Sequence, residues 1–173
     1  MARAKEVPVP NTPKRAVDAI EAHLPVVLRG RTLEEVGWER PDPLTLLIPV
    51  PGNTADGAWD DYLLRLGFLY YPDWPPSTQF VNPETRAYRF PEDKCWLPKI
   101  EGTGEIAVHA QYDLPNNAGK IQLICSSVTL EFYQVLHSVE ERLVWNPKVQ
   151  NFAATLAAIE RGLRQPYYKG RQA

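Results

Sequence analysis

The sequence predicts an α+β fold: an N-terminal helix, an antiparallel four-stranded meander, an irregular segment and C-terminal helices. Three observations predict it. Apolar residues recur at helical spacing near the start and again over the last third. Between them lie short apolar runs broken by turn residues. The 17 prolines fall mainly between periodic segments, where a missing backbone donor costs least.

The elements follow in order. Residues 1 to 12 carry two prolines, Pro8 and Pro10, and read as an extended arm. Thr12 caps a helix that starts at Pro13, with Val17, Ile20 and Leu24 as its stripe and Pro25 as its stop. A short strand is expected over 26 to 28. LTLLIPV (44 to 50) and DYLLRLGFLYY (61 to 71) read as long strands on either side of the turn PGNTADG. STQFV (77 to 81) is the next strand. Residues 82 to 120 read as irregular, and long loops inside domains are often functional. KIQLIC (120 to 125) is an apolar strand. Ser127 is expected to cap a helix over 128 to 142. Asn146 and Pro147 open a last helix with the stripe Phe152, Leu156, Ile159 and Leu163. The domain proper is placed at 13 to 164, and 165 to 173 is expected to be a polar tail.

Composition narrows the function classes. A net charge of −2 with interspersed signs gives no footprint for nucleic acid. No apolar run reaches membrane-spanning length and no signal peptide is visible, so a cytoplasmic protein is expected. The two cysteines, Cys95 and Cys125, then read as free thiols. Arg3, Lys5, Lys14 and Arg15 form a small basic group near the start.

Particular residues carry a more specific reading. YYPDWPPSTQF contains Tyr71, Pro72, Pro75, Pro76 and Phe80 in the pattern Tyr-Pro-x-x-Pro-Pro-x-x-x-Phe. HAQYDLPNNAGKIQLIC carries His109, Gly119, Ile121 and Cys125 in succession, and WNP follows with Trp145 and Pro147. Over about residues 13 to 163 this order resembles the ubiquitin-conjugating enzymes. It resembles in particular the divergent bacterial relatives found in conjugation-like antiviral defence operons. Ala110 and Gln111 replace the family's Pro and Asn. Three extra residues separate His109 from Gly119, and three more separate Ile121 from Cys125. Cys95 lies 19 residues after Pro76, close to the family's spacing, but no His or Gly precedes it, and Cys125 is favoured as nucleophile.

The resemblance implies an enzyme that accepts a ubiquitin-like protein from an activating enzyme as a cysteine thioester and passes it to an amine of a protein substrate, with no cofactor. Lys14, Arg15, Tyr71, Pro75 and Pro76 would face partners. A thiol at a helix start is expected to ionise readily. Gln111, Asn116 or Asn117 would supply an amide to the oxyanion. His109 would orient the loop or act as base, and His137 is a second candidate. Two rival readings are a non-catalytic binding module of the same fold and a zinc site built from His109, Cys125, His137 and Asp113.

Overall fold

A computed structural model describes residues 6–173. Helix α1 (Pro13–Leu28) begins where the sequence places it, with the Thr12 hydroxyl accepting the Arg15 N–H at 3.3 Å. Its buried stripe is Ala16, Ile20, Leu24 and Leu28. Pro25 does not end the helix. The four-residue spacing of Leu24 and Leu28 keeps the last turn against the core, so 26 to 28 is helix and not strand. Arg29 closes it in a left-handed conformation. A one-turn helix α2 (Leu33–Val36) follows, held by a reciprocal Thr32–Glu35 capping box.

The first strand of the meander comes from the charged segment that follows. Strands β1 (Glu39–Asp42), β2 (Thr45–Asn53), β3 (Trp59–Gly67) and β4 (Ser77–Val81) form one antiparallel sheet in sequence order. Leu46 faces Leu66, Ile48 faces Leu64, Val50 faces Tyr62, and Leu64 faces Phe80 across the ladders. All of these side chains are buried, in one core with Ile20, Leu24 and Leu28 of α1.

β3 ends earlier than its apolar run. After Gly67 the chain turns inward, and Phe68, Tyr71 and Trp74 become core. The Tyr71 hydroxyl bonds the His23 ring and accepts the Phe152 N–H at 3.3 Å. The Trp145 indole donates to the Pro72 carbonyl at 2.8 Å. Tyr71, Pro75 and Pro76 are therefore buried, which corrects their expected place on a partner surface. The proline turn ties the helical part of the chain to the sheet.

The segment expected to be irregular contains two strands. β5 (Pro98–Ile100) pairs with β8 (Tyr168–Arg171), and β6 (Ala107–Asp113) forms a hairpin with β7 (Lys120–Cys125). The expected polar tail is thus structural. Tyr168 is buried, bonds the Tyr62 hydroxyl at 2.6 Å and donates to Asp60. Arg171 stacks over the rings of Tyr62 and Trp96. Gln122 of β7 clamps the sheet through both backbone groups of Phe80, each at 2.8 Å.

The helix expected over 128 to 142 shrinks to α3 (Leu130–Gln134). It stops because Leu136 takes φ 59°, and the His137 N–H turns back to the Phe132 carbonyl at 3.1 Å. The final helix α4 (Ala153–Gly162) starts later than Pro147, but Phe152, Leu156, Ile159 and Leu163 are buried as its periodicity predicts. No helix among the described residues is long and apolar enough to cross a membrane.

Candidate functional site

Cys125 ends β7, opposite Ala107, and the chain then turns through Ser126–Thr129 into α3. The thiol is half-buried, whereas Cys95 is exposed on a one-turn 3-10 helix (Lys94–Trp96). The abrupt end of α3 brings His137 back over the strand. Its Nδ1 lies 3.4 Å from the Cys125 sulfur, within the range of a weak S–H···N bond. Its Nε2 lies 2.8 Å from the Tyr112 hydroxyl. Phe132 packs edge-on against the same imidazole, with ring centres 5.3 Å apart.

Of the pair, Cys125 lines a cleft of about 730 Å³, whereas His137 stands behind it. Cys125 and Ser127 form part of one wall, with Ile106 and Phe132 beside them; Ala157 and Arg161 of α4 contribute the other side. Arg161 clasps Glu105 at the rim, with Nε–Oε2 at 3.0 Å. The Tyr133 hydroxyl braces the turn after the cysteine. It donates to the Ser127 carbonyl at 2.8 Å and accepts the Trp145 N–H at 2.9 Å.

The electrostatics differ from the expectation. Ser127 is not a cap: α3 begins at Leu130 after Thr129, and the Thr129 hydroxyl donates back to the Ile124 and Ser126 carbonyls. Cys125 therefore sits five residues before a helix of little more than one turn and gains no dipole stabilisation from it. Burial pushes its thiol pKa up. Burial, and secondarily the nearby His109, hold His137 below the usual imidazole range. Both directions favour a neutral thiol beside a neutral imidazole, a base in reach of a proton that it can accept.

The other sequence candidates divide. His109 stands opposite Leu123, exposed, with its ring 5.4 Å from that of Tyr112. Gln111 is exposed within a bulge of β6. Asn116 and Asn117 are exposed turn residues in left-handed conformations, φ 57° and 55°. The strand Lys120–Cys125 separates that turn from the sulfur by roughly 16 Å at about 3.3 Å per residue. Neither asparagine is an oxyanion donor here. Asp113 pairs with Lys120 at 3.4 Å near the same tip. Among the described residues no three His, Cys, Asp or Glu side chains are placed to hold a metal ion, which removes the zinc site. Lys14 and Arg15 are exposed on α1, paired with Asp18 and Asp73 at 2.6 Å each. Arg3 and Lys5 lie outside the described residues.

Tyr112 escaped the sequence reading. Its signal was its position three residues after His109, which becomes meaningful only once the register of the hairpin is known. Comparisons with protein-family models, with curated proteins and with solved structures find no match for this chain.

Proposed function

We propose that this chain is a conjugating enzyme for a ubiquitin-like protein, with Cys125 as the thioester-forming nucleophile and His137 as its base. The observation that carries the reading is the 3.4 Å approach of His137 Nδ1 to the sulfur on the wall of an open cleft. The N-terminal helix, the four-stranded antiparallel sheet and the Tyr71–Pro76 turn are compatible with the reading that the sequence resemblance suggests. A cytoplasmic setting would keep both thiols free.

The step is a transthioesterification. As the Cys125 sulfur bonds to the acyl carbon of the incoming thioester, its proton passes to His137 Nδ1. The tetrahedral intermediate collapses, the bond to the activating enzyme's sulfur breaks, and that sulfur takes the proton. In the second half an amine of a protein substrate bonds to the acyl carbon, the carbon–sulfur bond to Cys125 breaks, and the proton the amine gives up passes through His137 to the leaving sulfur. The base is needed because a thiol raised by burial is little ionised at neutral pH.

The rival reading, a non-catalytic module that binds the modifier, rests on that same buried, protonated thiol. A charging assay with an activating enzyme and its ubiquitin-like protein separates the two. A reductant-sensitive adduct lost in Cys125→Ala and slowed in His137→Ala is the expected result. An adduct lost only in Cys95→Ala would move the site, and no adduct with a modifier that still binds would establish the module.

A further inference from the structure

We infer that Tyr112 is a positioning residue for the thiol chemistry: its hydroxyl fixes which nitrogen of His137 faces the Cys125 sulfur. The inference rests on the reading of Cys125 as a nucleophile, but it concerns a residue which that reading does not need.

The argument starts from the register of the hairpin. His109 stands opposite Leu123, and an unbroken antiparallel ladder would then set Gln111 opposite Ile121. Tyr112 occupies that place instead. One extra residue in β6 is a β-bulge, and it exchanges the two faces of the strand beyond it. The tyrosine thereby joins His109, Leu123 and Cys125 on one face, while Gln111 turns out to solvent. Without the bulge the glutamine would project where the tyrosine does.

The consequence is an imidazole held between two rings. Tyr112 packs against it edge-on, with ring centres 5.3 Å apart, and Phe132 does the same from α3. The hydroxyl at 2.8 Å from Nε2 adds direction. The titratable groups of the hairpin around this ring are Cys125, Tyr112 and His109. Phe132, from α3, brings no charge.

For His137 to accept the thiol proton, Nδ1 must be bare and Nε2 must carry the hydrogen. In that tautomer the Tyr112 oxygen accepts the Nε2 hydrogen and holds Nδ1 toward the sulfur; in the other the hydroxyl donates to Nε2 and Nδ1 carries the hydrogen. When the thiol proton arrives, the same bond stabilises the imidazolium. A phenol suits the task for a simple reason. A carboxylate in its place would raise the imidazole pKa and, beside a thiol, favour a charged imidazole–thiolate pair at rest. The neutral hydroxyl orients the ring without doing so. No proton moves to Tyr112 at any stage.

The test uses the whole chain in a Cys95→Ser background, because exposed Cys95 would compete for reagent. The rate of Cys125 alkylation by iodoacetamide is followed from pH 6 to 10 for this protein and for its Tyr112→Phe and His137→Ala versions. Phenylalanine keeps the ring packing and removes only the hydroxyl. Loss of one hydrogen bond to the ring predicts a rate about three- to tenfold lower at pH 7 for Tyr112→Phe. The curves should draw together toward the alkaline end, where the thiol ionises without help. Long-range ¹⁵N NMR should show His137 protonated at Nε2 in the parent and as a tautomer mixture in Tyr112→Phe. Superimposable profiles for parent and Tyr112→Phe overturn the inference. So does a uniform loss at every pH with the tautomer unchanged, which marks a structural role. A chain that shows the Tyr112 effect but forms no thioester with any activating enzyme keeps this assignment and loses the conjugation reading.

Discussion

Glu131 offers a sharp test of how α3 is held. Its carboxylate is fully enclosed, accepting the Ser77 hydroxyl at 2.5 Å and the Thr78 N–H at 3.0 and 3.2 Å. Burial raises its pKa from an ordinary 4.5 to about 7, against the opposing effect of those bonds. Below pH 4.5 both folded and unfolded chains hold the proton. Between 4.5 and 7 only the folded chain does, so stability falls as pH rises through that window. The loss between pH 5 and pH 8 is about 2.5 kcal/mol. Other groups act with the opposite sign: Glu35 and Asp56 are held low by hydrogen bonds, and His23 and His137 are held low by burial. Their contributions cancel when the wild type is compared with Glu131→Gln. The variant cannot ionise, and it loses one acceptor oxygen at every pH alike. Urea unfolding at pH 5 and pH 8 should therefore show the variant gaining on the wild type by about 1 M in midpoint, for a slope of about 2 kcal/mol per molar. Equal pH dependence in the two proteins would refute the argument, since it would mean that residue 131 is already ionised in the fold.

Three further outcomes follow from particular contacts. Gln122→Leu strips both partners from the buried backbone of Phe80 and should cost about 2 to 4 kcal/mol in chemical denaturation; an unchanged midpoint would mean that β4 and β7 part without penalty. Gly52→Ala would set a methyl 2.7 Å from the Tyr168 ring, which is pinned by Tyr62 and Asp60, and should destabilise by about 1 to 3 kcal/mol in thermal melts; a variant as stable as the parent would show that β8 is free to yield. Lys14→Glu with Arg15→Glu replaces exposed charges whose ion pairs lie at the surface, so the melting temperature should hold while the charging rate with the activating enzyme drops. An unchanged charging rate would place the docking face elsewhere.

The sequence made most of the scaffold legible, and the misses share a cause. Runs of apolar residues fixed the long strands, and the stripe Phe152–Leu156–Ile159–Leu163 located the final helix. Periodicity said nothing of where an element stops when the stop is tertiary. Leu136 has helical spacing to its neighbours, yet the chain reverses there to bring His137 onto β7. Phe68 and Tyr71 continue an apolar run, yet they leave the strand and fold inward because Phe152 and His23 offer partners for their rings, while Leu69 between them stays exposed. The tail reads as polar because Lys169, Gly170, Arg171 and Gln172 surround the one side chain that is buried, Tyr168.

By itself, then, the order of residues determined an α+β chain with a free, half-apolar cysteine strand and a proline-aromatic turn, because those features depend on neighbours a few positions apart. Which groups meet the sulfur was decided only in three dimensions. A one-residue bulge in β6 and a left-handed leucine after α3 set the faces on which Tyr112 and His137 stand. Both are consequences of packing between segments about 10 to 25 residues apart, and no local pattern encodes them.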